Sequence, residues 1–288
     1  MSTEPEKAPF IFMGRPMNNA RVALPPKIIL YGPNGAGKTH TIGWANCPAI
    51  ADLEGNMPWL PHPELGDNQT FHKHRITDFD GIDNFIQALL HENHPFKTVV
   101  IDSLDAVYSF VMKKARAKYG ADPQYGADYK FCANEMTLLC KNLDDLMMRK
   151  KMTIILLAHA KVKKLDNPLA ESYDRWETTL SENVFRVFLD WSSCIFLALP
   201  EYATRETPLP KLGKKSPSKV NTEGIKRWFY TSGNAACFAK NTYNLPERIP
   251  MNTRNDWNAM LDMMRKSFER KTDEKTQTEE RVEEDEQT

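Results

Sequence analysis

The chain has 288 residues, 41% of them hydrophobic, with 38 basic and 38 acidic side chains. That suffices for one sizeable core with a small appendage. No apolar run approaches the ~20 residues of a membrane span, and the opening MSTEPEKAPF lacks the basic-then-apolar plan of a signal peptide. A cytoplasmic protein without a membrane partner is therefore expected.

Residues 1–24 read as an irregular lead-in that ends at Pro25-Pro26. From there strand and helix patterns alternate to about residue 268, which predicts one α/β domain: a mostly parallel sheet with helices on both faces. The predicted strands are Lys27–Tyr31, Cys47–Leu53, Thr98–Asp102, Thr153–His159 and Ser193–Leu199. The predicted helices are Lys38–Ala45, Ile82–His91, Leu104–Lys118 and Phe131–Lys150, with a last one over Arg254–Phe268. Arg227–Thr231 and Ala235–Ala239, joined by Ser232-Gly233-Asn234, read as a C-terminal hairpin. Ala160–Thr179 has no apolar periodicity and reads as a long charged loop, a kind of loop that in a compact domain is usually functional or disordered. Two more loops are expected: Tyr119–Tyr129, with three tyrosines, and Ala203–Gly224, with the basic run KLGKKSPSK. The five cysteines (Cys47, Cys132, Cys140, Cys194, Cys237) form no C-x-x-C pair and read as reduced thiols. The pairs His72/His74 and His91/His94 lack cysteine or carboxylate partners at ligand spacing, which argues against a metal there.

The strongest chemical signal is Gly32-Pro33-Asn34-Gly35-Ala36-Gly37-Lys38-Thr39, a full match to G-x-x-x-x-G-K-[ST], followed by His40. It comes directly after an apolar strand pattern and before a helix, the context a phosphate-binding loop requires. Backbone N–H groups and the helix start would hold the phosphates of ATP. Lys38 would reach the β- and γ-phosphates, and the Thr39 hydroxyl would ligate Mg²⁺. Val99-Val100-Ile101-Asp102 supplies the apolar strand ending in the second metal-facing group, Asp102. Ser103 follows it, where many ATPases place the glutamate that activates water. The base must come from elsewhere, and Glu54, ending Ala51-Asp52-Leu53-Glu54, is the candidate, because the strand ends of a parallel sheet open on one crevice. Asp52 competes from deeper in the strand, and a plain surface carboxylate is the alternative for Glu54. His159, ending LLAH, is placed to contact the γ-phosphate and signal to the loop after it, or else to be a hydrogen-bonded core histidine.

Together these segments resemble the RecA-like ATPases. GPNGAGKT, ADLEGN, VVIDSLDAV, LLAHAKV, SYDRWETTL, DWSSCIFLA and AKNTYNLP are similar to phage RecA-like proteins of the Sak type, partners of single-strand annealing. The resemblance implies a RecA-like P-loop core and an ATPase that binds single-stranded DNA. It implies work beside a single-strand-binding protein or an annealase in phage recombination or replication, in the host cytoplasm. A homo-oligomer is expected as well. The family segment matching Ala239–Tyr243 usually has Arg where this chain has Thr242, leaving Lys240 to reach a neighbouring subunit's nucleotide, unless it is an ordinary strand-end lysine. Tyr119, Tyr125 and Tyr129 are candidates to stack bases, and Lys161, Lys163, Lys164, Arg175, Lys211, Lys214, Lys215 and Lys219 to meet phosphates. A non-hydrolysing ATP-dependent adaptor or loader is the first alternative. A P-loop kinase is the second, though no Arg-rich lid is evident.

Residues 269–288 hold nine acids and four bases, so the tail carries −5 and residues 1–268 carry +5. So charged and apolar-poor a segment is expected to be disordered. A tethered polyanion competes for a basic surface on its own chain, most strongly at low salt. Deleting residues 269–288 should therefore raise affinity for single-stranded DNA at low ionic strength, with the gain shrinking across a salt titration. Unchanged affinity would leave the tail a solubiliser, and reduced affinity would contradict the competition.

Overall fold

The computed structural model describes residues 10–12, 15–17, 24–55, 72–120, 126–166, 171–201 and 226–267. The acidic tail, the run Lys211–Lys219, Tyr125 and the side chains of His72 and His74 lie outside them. Within the segment read as irregular, β1 (Phe10–Phe12) and β2 (Arg15–Met17) pair antiparallel.

The central strand is β3 (Lys27–Gly32), which leads into α1 (Lys38–Ile42). There follow β4 (Pro48–Asp52), β5 (His72–Arg75), α2 (Phe79–His91), β6 (Thr98–Asp102) and α3 (Leu104–Tyr119). Then come α4 (Ala127–Lys150), β7 (Thr153–Leu165), β8 (Tyr173–Thr178), α5 (Glu182–Trp191) and β9 (Cys194–Pro200). Three short strands, β10 (Arg227–Tyr230), β11 (Lys240–Asn241) and β12 (Arg248–Pro250), precede a helix, α6, over residues 254–267. Among the described residues the main sheet runs β12-β10-β9-β3-β7-β6-β4-β5. It is parallel from β9 across to β5, with β10, β11 and β12 antiparallel on the far edge.

Alternation along the buried strands sorts their side chains to two faces. Ile29, Tyr31, Ile101 and Leu156 pack with α2, α3, α4 and α5, whereas Ile28, Leu30, Ile50 and Leu157 pack with α1 and α6. The expected α/β architecture is present. The cysteines are free thiols, four of them buried, and His94 is bonded to the Leu89 carbonyl at 2.7 Å. No helix among the described residues is long and apolar enough to cross a membrane.

Three expectations need correction, and two elements were not foreseen. The charged stretch after His159 is no loop: β7 continues to Leu165 and β8 returns antiparallel, with Lys161 opposite Glu177 and Lys163 opposite Arg175. The β7 arm is exposed while β8 is mostly half-buried, with Trp176 packed against the core, so no regular apolar alternation marks the pair. The C-terminal hairpin does not form as read. β10 pairs with β12, while Asn234 Oδ1 accepts from Ala236 N and Cys237 N, turning the chain so that Cys237 bridges to Trp176 instead. Of the unforeseen elements, the polar edge strand β5 carries no apolar signal, but α5 has one, with Val184 and Phe188 buried four residues apart. Finally, α1 is shorter than expected. After Ile42 the bonds shift to three-residue spacing, with Gly43 donating to His40 and Trp44 to Thr41.

Tyr31 ties the phosphate-loop strand to the periphery. Its buried hydroxyl faces the carbonyls of Trp176 and Phe238, the first at 3.2 Å. Tyr31→Phe should lower unfolding free energy by about 1–3 kcal/mol, because it removes the hydroxyl that the Phe238 carbonyl accepts from. Urea denaturation checks this, and a loss below about 0.5 kcal/mol would mean the bond gives nothing net.

Candidate nucleotide site

Parallel register places the site. Gly32 aligns with His159, and Asp52 with Asp102, so the ends of β3, β4 and β6 meet at one edge of the sheet, where β7 passes through at His159. Sequence reading named Lys38, Thr39, Asp102, Glu54 and His159 from four separate segments, and this edge brings all five together.

The loop after β3 turns through Pro33, whose carbonyl accepts from Ala36 N at 3.2 Å, with Asn34 and Gly35 exposed at its tip. Gly37 has φ +88°, a left-handed conformation that favours glycine. The Lys38 ammonium is buried and donates to the carbonyls of Gly32 (2.7 Å) and Pro33 (3.1 Å). Burial lowers its affinity for a proton against the pull of Asp102 and Glu54. His40 lies exposed just beyond, its ring edge-on to Trp44. Thr39 Oγ1 donates to Asp102 Oδ2 at 3.1 Å. Burial first, and then the charge of Glu54, push the Asp102 carboxyl up to about 6.

These residues fit a phosphate chain and Mg²⁺. A hydroxyl and a carboxylate are the hard oxygen donors that Mg²⁺ takes, and a cation there would relieve the crowded carboxylates. Among the described residues no group of three or more His, Cys, Asp or Glu side chains is arranged to hold a metal unaided. Thr39 and Asp102 would therefore share the ion with phosphate oxygens and water.

Glu54 sits at the centre of a hydrogen-bonded cluster. Ser103 Oγ donates to its Oε1, and His159 Nε2 lies 2.8 Å from the same oxygen. Burial opposes its charge, but those two bonds and the charges of His159 and Lys38 outweigh it and hold the carboxyl below the usual range. Asp52 is 2% exposed and accepts from Gly55 N at 2.7 Å, so it shapes the turn that presents Glu54. Behind His159, Asp105 accepts from His159 N at 2.7 Å and from the Thr179 hydroxyl, while Thr179 N donates to the His159 carbonyl at 3.0 Å.

Sequence reading missed Ser103, Asp105 and Thr179 as site residues, since an isolated hydroxyl or carboxylate carries no pattern. It also missed Arg75, whose guanidinium lies where a side chain on Gly55 would stand. Lys240 is not at this edge. It pairs opposite Ile195 near the start of β9, and its ammonium donates to the carbonyls of Leu189 (2.6 Å) and Ser192 (2.7 Å). It thus closes the C-terminus of α5, where a cation is favoured.

Lys38→Ala should abolish or severely weaken ATP binding, because it removes the positive charge aimed at the phosphates. Binding at parent affinity, measured by calorimetry, would contradict the assignment of the loop.

Residues 24–243 match the AAA domain family, and no match was found among curated proteins. The match spans well over half of the chain and takes in every site residue named above, so the chain belongs to the AAA domain family of P-loop nucleotide-binding proteins.

Proposed function

We propose that the protein is a Mg²⁺-dependent ATPase of the RecA-like Sak type. In this reading it acts as a homo-oligomer, is stimulated by single-stranded DNA, and works beside a single-strand-binding protein or annealase in phage recombination or replication. The observation that carries hydrolysis is the placement of Glu54, beside Lys38 and Asp102 at the sheet edge with Ser103 and His159 fixing its carboxylate. Bound ATP supplies the anhydride, and Mg²⁺ neutralises its charge. Glu54 orients a water and takes its proton as the water oxygen bonds to the γ-phosphorus. The bond to the β-phosphate then breaks, giving ADP and phosphate.

DNA binding is supported by the hairpin of β7 and β8. Lys161, Lys163 and Lys164 are exposed on it. A cavity of about 400 Å³ beside it is lined by Lys161, Arg175 and Arg186 together with Phe185 and Phe238. Cations interleaved with aromatic rings suit the phosphates and bases of a single strand. Glu177 tempers that charge, lying 3.2 Å from Arg175 Nε and 3.5 Å from Lys163 Nζ. Tyr119 and Tyr129 are also exposed. The Asp105–Thr179 contacts give His159 a route by which the γ-phosphate state reaches the hairpin. The segments SYDRWETTL and AKNTYNLP support the Sak-type identity.

One observation favours a second reading. Ser103, not a glutamate, follows Asp102, which suits an adaptor that binds ATP without turning it over.

Phosphate release with and without single-stranded DNA separates the two. Hydrolysis that rises with DNA is expected, and none under either condition would leave the adaptor. Glu54→Gln should still bind nucleotide but lose about 10²–10⁴-fold in turnover. A drop of less than a few fold, with Asp52→Asn inactive, would move the base to Asp52.

A further inference from the structure

Asp102 ends β6, Glu54 lies in the turn after β4, and His159 is in β7, all on one flank of β3. A triphosphate in the loop with its γ end toward them directs its α-phosphate and nucleoside to the other flank, where β9 and β10 lie. Arg227, the first residue of β10, stands there opposite Pro200, at the end of β9 nearest the loop. Its Cδ and Nε each lie 2.7 Å from where a Cβ on Gly37 would be, so the side chain is laid along the loop backbone in space that only glycine leaves open.

Two further features single it out. Its main chain is fixed, with N donating to Asn252 Oδ1 and O accepting from Met251 N, each at 2.8 Å. Its Nε, by contrast, is buried with no hydrogen-bond partner. A buried donor left unmatched is costly, and one on a guanidinium beside a phosphate loop is matched by an anion. We propose that Arg227 is a nucleotide-binding residue whose guanidinium takes oxygens of the α- and β-phosphates, on the side of the loop away from the γ-phosphate. This rests on the phosphate-loop reading of Gly32–Thr39. A planar guanidinium suits the task because its donors pair with phosphate oxygens two at a time.

The test is calorimetric titration of wild type and Arg227→Met with Mg·ADP, with a non-hydrolysable Mg·ATP analogue and with inorganic pyrophosphate. Because the α- and β-phosphates are common to both nucleotides, both dissociation constants should rise by one shared factor of about 10- to 100-fold. Pyrophosphate, which has no ribose or base, should lose affinity as well. Unchanged affinities would overturn the proposal and leave Arg227 a packing element. Loss confined to the triphosphate analogue would overturn it by moving the contact to the γ-phosphate, and intact pyrophosphate binding would overturn it by moving the contact to the nucleoside. Wild-type protein that bound no nucleotide would overturn the phosphate-loop reading itself, a failure distinct from these. If Arg227→Met does not fold, Arg227→Lys carries the same comparison: a smaller shared weakening is expected, and parent affinity overturns the proposal.

Discussion

The site depends on the parallel register that ends β3, β4 and β6 at one edge, level with His159 of β7. Each strand is buried on both faces, so its register is fixed by the packing of two cores at once. A one-residue slip of β4 would carry Ile50 and Ala51 to the wrong faces and withdraw Glu54 from His159. Hydrophobic packing thereby sets the distances among charged groups that would otherwise repel or hydrate separately.

Electrostatics at that edge is shared out unevenly. Asp102 has a carboxyl that burial and its neighbours push up to about 6, whereas Glu54, close by, is held ionised by Ser103, His159 and Lys38. The contrast suits the proposed division of labour, in which Asp102 would share a cation and Glu54 would stay charged toward the γ-phosphate. Lys38 meanwhile turns back onto the Gly32 and Pro33 carbonyls, contacts it would exchange for phosphate oxygens.

The hairpin of β7 and β8 is joined to the edge at two places. His159 and Thr179 are bound through Asp105, and Tyr31 on the phosphate-loop strand reaches the backbone of Trp176. Movement of His159 toward or away from a γ-phosphate would thus act on both arms of a basic hairpin. That is the physical content of the proposed link between ATP and DNA.

Much of this was legible in the sequence, for a physical reason. Asp102, Glu54 and His159 each close an apolar run, and a run ending in a polar residue marks both a buried strand and the edge where it surfaces. The phosphate loop carries its own glycine pattern. The β7–β8 hairpin was illegible because its exposed β7 arm and half-buried β8 arm show no regular apolar alternation, and Lys240 has a sequence signal that does not separate a lysine closing a helix from one reaching outward. Arg227, Ser103 and Asp105 take their meaning from neighbours distant in the chain. The most direct measurement of the central claim is amide hydrogen exchange of the protein with Mg·ADP and with a non-hydrolysable Mg·ATP analogue. Slower exchange over residues 160–165 and 173–178 with the triphosphate alone is expected, and identical exchange in the two states would contradict the coupling of the γ-phosphate site to the hairpin.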